Sequence, residues 1–370
     1  MVELAEIFQR YGPAYRAKYG ERMLPGHRRA MRDIERCRTA VLGGHIYTCP
    51  DCGQAEYLYH SCRNRHCPKC QNDKTELWLE AQQDLLLPVS YFLLTFTLPE
   101  GLRAIARSHQ RLVYDLLFRV SAEAVQQLGQ AERWVGGQMG MMGVLHTWGR
   151  NLAYHPHVHY LVPGGGVGKD GVWRPSRANF LLPVKALSRV MRDKFCAALR
   201  QADAAVFAQV PVRVWQQDWV VHCQPVGTGE NAVKYLAPYV FRVAISNRRI
   251  VKLEHDRVTF RYRQTETGQL KTCTLPAEEF IHRFLQHVLP KSLVKVRYYG
   301  FLAVGQRKRL AVLREQLRRP VEQTSLAATD GDEEEQPRSR CTEMLCPSCG
   351  QVMRRGAVIL PTAHSPPWTR

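Results

Sequence analysis

Between Cys37 and Gln71 the chain reads CRTAVLGGHIYTCPDCGQAEYLYHSCRNRHCPKCQ, with six cysteines, three histidines and few large aliphatic side chains. A segment this polar and turn-rich cannot bury a core of its own, so something other than apolar packing must fold it. Cys49 and Cys52, then Cys67 and Cys70, form two CxxC knuckles fourteen residues apart, the spacing of a tetrahedral four-thiolate zinc site. Structural zinc contributes roughly 10 to 16 kcal/mol of apparent binding energy, enough to order such a module. Cys37, His45, Cys62 and His66 interleave with the first set and make a second candidate zinc site, with His60 competing for a place; the other reading is buried thiols and a solvent-facing histidine. Late in the chain CTEMLCPSCGQVMRR repeats the CPxCG knuckle, and Cys341, Cys346 and Cys349 want a fourth ligand, for which His364 is a candidate. Of the twelve cysteines only Cys196, Cys223 and Cys273 stand apart. Such clustering argues for metal in a reducing compartment rather than for disulfides.

Charge narrows the partner. Lys and Arg number 52 against 33 Asp and Glu, a net +19 over 370 residues, which favours a polyanion. Nucleic acid is the first candidate and an anionic membrane surface the second. No run of 18 apolar residues exists, and MVELAEIFQRYG lacks a basic-then-apolar signal pattern, so a soluble, cytoplasmic protein that does not enter a membrane is expected.

The second chemical signal is HPHVHYLVPGGG, residues 155–166. On a strand His155, His157 and His159 project to one face and Val158, Tyr160 and Val162 to the other. Two neutral imidazoles at i, i+2 can converge on one divalent ion, while the plain alternative is a half-exposed strand. Around it the hydrophobic pattern gives a helical 3–36 and a helical KTELWLEAQQDLLL. SYFLLTFTLP reads as a central strand and EGLRAIARSHQRLVYDLLFRVSAEAVQQLG as one long helix. MGMMGVLHTWGRNLAYHPHVHYLVPGGG reads as strand, turn, strand. A helix near 184–208, a strand in VRVWQQDWVVHCQPVG and a helix in GENAVKYLAPYVFRVA follow. Strand, helix, hairpin, helix, strand, helix predicts an α+β fold with an antiparallel sheet. Length suggests two or three domains at about 150 residues each.

Tyr235 and Tyr239 lie four apart and would be neighbours on one helical face, usually a sign of core aromatics. A phenol ionises near pH ~10, so it attacks phosphorus only if a metal polarises the phosphate or a neighbour takes its proton. With His157-Val158-His159, the strand FLLTFTLP, the paired tyrosines and the cysteine-rich start, the chain resembles the two-tyrosine HUH transposases of rolling-circle insertion sequences. The resemblance spans most of 10–315, including VLHTWG, AISNRRI and HVLPKSLVKVRYYGFLA. It implies an HUH-type antiparallel sheet flanked by helices, a histidine-bound Mg²⁺ or Mn²⁺, and tyrosine attack on single-stranded DNA through 5′-phosphotyrosine. Such sites usually take a third ligand; His146, on the strand expected beside His157 and His159, is the choice, with His155 and His222 as rivals. Pro238, between the tyrosines, would kink their shared face.

This reading divides the chain into a helical and zinc-ribbon-like DNA-binding part, 1–85, a single-strand nuclease and transposase part, 86–320, a linker, 321–340, and a cysteine-knuckle tail, 341–370. Arg242, Arg248 and Arg249, with the basic and aromatic run VRYYGFLAVGQRKRLAVLREQLRRP, are the candidate DNA contacts, although such runs are often solvated faces. The expected partners are single-stranded element ends and target DNA at the nucleoid, with the oligomeric state open. A zinc-dependent nucleic-acid-binding protein without catalysis and a rolling-circle replication initiator are the alternatives.

Overall fold

The computed structural model describes residues 2–71, 82, 85–228, 231, 243–264, 267–318 and 344–362. Its strands are β1 (Gly44–Thr48), β2 (Ala55–Tyr59), β3 (Ser90–Thr97), β4 (Met141–Trp148), β5 (Tyr154–Pro163), β6 (Gly165–Val167), β7 (Trp173–Pro175), β8 (Val221–Thr228), β9 (Ile250–Glu254), β10 (Arg257–Arg263), β11 (Leu270–Pro276), β12 (Val296–Tyr299) and β13 (Arg354–Ile359). The fold is α+β, as the element order predicts, and every described ladder is antiparallel.

The largest sheet runs β12-β4-β5-β3-β8, so the most apolar strands take its middle. On one face Phe92, Leu94, Phe96, Leu145, Val158 and Tyr160 pack under the helices Gln110–Gly129 and Val184–Ala202, through Leu117, Phe118, Met191 and Phe195. Burying each such side chain stabilises the fold by about 1.5–3 kcal/mol. The polar atom of Tyr160 is satisfied there: its hydroxyl donates to the Phe118 carbonyl at 2.9 Å and pairs with Ser121 Oγ at 2.8 Å. The opposite face is split along its length. At one end Tyr91, Leu93, Met142, Val144 and Leu161 form an apolar patch. At the other end the same face presents Thr95 and His146, two residues after Leu93 and Val144, and on the antiparallel β5 His159 and His157, two and four residues before Leu161.

A second sheet, β11-β10-β9, carries the helix Ala277–Leu285. Phe260, Phe280 and Phe284 share a core with Leu4, Ile7 and Phe8 of the first helix, Leu4–Tyr19. Phe8 and Phe284 meet edge to face at 5.4 Å. Trp148 and Leu152, at the tip of the β4–β5 hairpin, join the same cluster and bring the two sheets together. The third sheet, β13-β1-β2, pairs the tail strand with the first hairpin of the chain.

Several local expectations change. The long helix after β3 is two, Arg103–Ser108 and Gln110–Gly129, because Ser108 turns its hydroxyl back onto the Ala104 and Ile105 carbonyls and His109 leaves helical geometry. The next helix ends at Ala202, where the Asp203 carboxylate caps a short new helix through the Val206 N–H at 2.9 Å. Only Val221–Thr228 of the following segment is a strand; Arg213–Gln216 is a helical turn. KTELWLEAQQDLLL falls largely, and the tyrosine-bearing segment almost wholly, outside the described residues. Among the described residues no helix is long and apolar enough to cross a membrane.

Candidate metal centres and nucleic-acid interface

Antiparallel register assembles the histidine site. His157 lies opposite His146 on β4 and Thr97 on β3, and His159 lies opposite Val144 and Thr95. Facing residues share a face, so two strands deliver three imidazoles to one spot. One nitrogen from each of His146, His157 and His159 lies within 4.8 Å of the others. The rings stand nearly perpendicular, with centroids 4.7 Å apart for His157 and His159, and 5.4 Å and 5.0 Å from His146.

What holds each ring decides which nitrogen it offers. His157 Nδ1 donates to the His155 carbonyl at 2.6 Å, and His159 Nδ1 pairs with Thr95 Oγ1 at 2.8 Å. With both Nδ1 atoms held, the atom each of these rings can offer an ion is Nε2, the arrangement expected around a metal. His146 is buried and stacks on Trp148, centroids 4.8 Å apart. His155 is engaged elsewhere: the Arg103 guanidinium donates to its Nδ1 at 2.9 Å, and burial, with that charge, lowers its pKa. His222 is exposed on β8, two strands from His159, and does not join the cluster.

The three imidazoles open into a cleft of about 570 Å³ rimmed by Arg103, Arg150, Arg263, Tyr262 and Gln264. A second concavity of about 530 Å³, lined by Arg150, Arg248, Arg249, Arg261, Tyr262 and Arg263, shares three of those residues. Among the described residues no carboxylate lines either one. Arg249 also has a structural task, donating to the Arg261 carbonyl at 2.9 Å and to that of Arg150. Arg242, Tyr235 and Tyr239 lie outside the described residues. Thr95, Arg103, Arg150, Tyr262 and Arg263 were not singled out by sequence. Thr95 and Thr97 were visible as alternate polar positions in an apolar strand, the same i, i+2 signal that marked the histidines.

The cysteines regroup. Cys67 and Cys70 do not meet Cys49 and Cys52; they join Cys37 and Cys62, with Cys37–Cys70 and Cys62–Cys70 sulfur distances of 3.5 Å. Cys49 and Cys52 meet Cys346 and Cys349, at 3.4 Å for Cys49–Cys349 and 3.5 Å for Cys52–Cys346. Of the expected second set, the structure brings Cys37 and Cys62 together, but with Cys67 and Cys70 rather than with His45 and His66. His45 Nε2 instead accepts from Arg355 at 2.7 Å, and half-buried His66 accepts the Leu289 N–H at 3.3 Å. Burial pushes the His66 pKa well below its ordinary value. The tail knuckle is not a third site, and Cys341 and His364 lie outside the described residues.

Both cysteine sets fit zinc. Thiolates 2.3 Å from a shared tetrahedral ion sit about 3.8 Å from one another, close to the separations here. Hydrogen bonds from Cys62 and Cys67 hold the Cys37 thiol well down, while the neighbouring thiols push Cys62 and Cys67 up. Four sulfurs this close cannot all be anions without a cation between them.

Residues 7–98 match the family described as "Transposase zinc-binding domain", of the IS91 type, and residues 140–310 match Y2_Tnp, described as "Putative transposase". The chain is 40% identical to "Putative transposase y4qJ" of Sinorhizobium fredii, over 94% of this chain and 93% of that one. It is 29% identical to "Transposase for insertion sequence element IS801" of Pseudomonas savastanoi pv. phaseolicola, over 74% of this chain and 71% of that one. No solved structure matches.

Proposed function

The chain belongs to the insertion-sequence transposases that carry an IS91-type zinc-binding domain, and on that premise we propose that it nicks and joins single-stranded element ends by a rolling-circle route. The nucleophiles in this reading are Tyr235 and Tyr239. A phenol oxygen attacks the scissile phosphorus, the bond from phosphorus to the 3′ oxygen breaks, and the strand is held as 5′-phosphotyrosine. The proton lost by the phenol is balanced by the one that the leaving 3′-hydroxyl gains. Joining reverses this, a 3′-hydroxyl attacking the phosphotyrosine and releasing the phenol, so the phosphodiester energy is kept and no nucleotide is consumed.

The observation that carries the reading is the convergence of His146, His157 and His159 in a cleft rimmed by arginines. A divalent ion bound there would polarise the scissile phosphate. An all-imidazole set suits Mn²⁺ better than Mg²⁺, which prefers oxygen donors. Arg103, Arg150 and Arg263 are placed to hold the strand's phosphates, and Tyr262 offers a ring for base stacking. Arg248 and Arg249 extend the same basic surface, and Arg242, outside the described residues, is a further candidate DNA contact. A protein acting on element ends and target DNA works in the cytoplasm at the nucleoid.

Single-stranded element ends incubated with the protein and Mn²⁺ should yield a covalent adduct that maps to Tyr235 or Tyr239. The adduct should vanish in the His157→Ala/His159→Ala double variant while DNA binding persists. Binding without any adduct in the unaltered protein would leave a DNA-binding protein, and an adduct retained by the double variant would remove the histidine site from the chemistry.

A further inference from the structure

We propose that Cys49, Cys52, Cys346 and Cys349 form one structural zinc centre shared by distant parts of the chain, making residues 344–362 an integral piece of the N-terminal metal module. The matched zinc-binding segment ends at residue 98 and the matched transposase segment at 310, so the tail half of this centre lies beyond both.

The two halves are built alike. Residues 49–54 read CPDCGQ and residues 346–351 read CPSCGQ. In the first, the Cys49 N–H donates to the Gln54 carbonyl at 2.8 Å and the Gly53 N–H to the Cys49 carbonyl at 3.1 Å. In the second, the Cys346 N–H donates to Gln351 at 2.8 Å and the Gly350 N–H to Cys346 at 2.9 Å. Gly53 and Gly350 have φ of +74° and +78°, a left-handed turn that glycine adopts without strain. Each knuckle closes a hairpin, between Thr48 and Ala55 in one and between Leu345 and Val352 in the other. Cys67-Pro68-Lys69-Cys70-Gln71 lacks that glycine and runs into the short helix Pro68–Gln71, which explains why it pairs with other partners.

The sheet then sets the knuckles side by side. β13 pairs antiparallel with β1, from Gly44 opposite Ile359 to Thr48 opposite Arg354, so Cys49 follows the last paired residue of one strand and Met353 precedes the first of the other. Apolar packing is too thin to hold that arrangement. Cys49, Cys346 and Met353 are the buried members of its cluster, while Val358 and Leu360 are 61% and 76% exposed. The other cluster already has its four thiols in Cys37, Cys62, Cys67 and Cys70. Without the tail, Cys49 and Cys52 would supply half a tetrahedron.

Full-length protein should carry two zinc ions, and Cys346→Ser/Cys349→Ser should carry one, as should Cys49→Ser/Cys52→Ser. The quadruple variant should lose no more than either pair, since all four sulfurs serve one ion; additive losses, or two zinc ions retained by the tail pair, overturn the proposal. Cys346→His guards against simple misfolding because imidazole still binds zinc: with Co²⁺ in place of zinc, its ligand-field and charge-transfer bands should shift, and an unchanged spectrum counts against Cys346 as a ligand. Finally, a protease site inserted between Asp330 and Gly331 should give a cut chain whose tail stays attached until a zinc chelator is added. A tail that leaves with zinc still bound would also defeat the proposal.

Discussion

In the proposed metal site, His157 and His159 can each present Nε2 because something else holds their Nδ1 atoms. Thr95→Val removes the hydroxyl that holds His159 Nδ1 and should lower metal affinity 10- to 100-fold, a typical loss for such a partner. The readout is the Mn²⁺ concentration that gives half-maximal cleavage; Thr95→Ser should stay near the parent, and equal defects in both variants would argue for packing instead. The face shared by the histidines was legible from alternation alone, and His146 from the hairpin, because antiparallel pairing is local in sequence there. Thr95 stands out only as a polar position in an apolar strand; its role does not, since threonine in a strand reads as a β-former until the register shows what stands opposite it. A second residue-scale consequence concerns pH. His287 is buried, with Nε2 facing the Leu152 carbonyl at 3.2 Å, and burial lowers its pKa from 6.5 to about 4. Between those values the unfolded chain binds the extra proton, so stability is full above pH 6.5 and falls toward pH 4, by ~3 kcal/mol for the whole shift. Urea unfolding of the parent and His287→Gln at several pH values checks this: the parent should lose more stability on acidification, and parallel curves would refute it.

At the scale of elements, proximity along the chain pairs Cys49 and Cys52 with Cys67 and Cys70, whereas the fold pairs CxxC motifs by kind. The repeated C-P-x-C-G-Q was available to be noticed, but the tail strand's pairing with β1 spans about 300 residues and leaves no local trace. The sheet β9-β10-β11 also escaped. Its first hairpin turns on His255 and Asp256, with φ of +49° and +57°, the type I′ geometry that Asn-Gly would advertise and His-Asp does not. Asn tolerates this region better than His, so His255→Asn should stabilise the protein by about 0.5–1 kcal/mol, seen as a raised Tm. Asp256 is best left in place because its carboxylate accepts the Tyr11 hydroxyl at 3.0 Å and ties the hairpin to the first helix. An unchanged or lowered Tm for His255→Asn would mean that the imidazole makes up for the strain.

Over the whole molecule, a net charge of +19 says only that a polyanion is welcome; the fold says where it can lie. The arginine concavity on β9–β11 and the histidine cleft on the central sheet share Arg150, Tyr262 and Arg263, which makes one continuous basic path ending at the imidazoles. Arg150, Arg248, Arg261 and Arg263 are exposed, and among the described residues none forms an ion pair with a carboxylate. Charges left unpaired at a surface are available to phosphates, whose neutralisation releases counterions and makes affinity fall with salt. Each phosphate contact on a single strand contributes about 0.7 to the slope of log K against log salt. Arg248→Gln/Arg261→Gln should therefore flatten that slope by about 1.4 while leaving cleavage at saturating DNA close to the parent's, because neither residue lines the histidine cleft. Arg263→Gln, which lines both concavities, should lower the slope and also slow cleavage. Removing divalent metal should have the opposite signature, stopping cleavage with the slope unchanged. If the double variant kept the full slope, the strand would run elsewhere, and the path from β10 to the imidazoles would have to be abandoned.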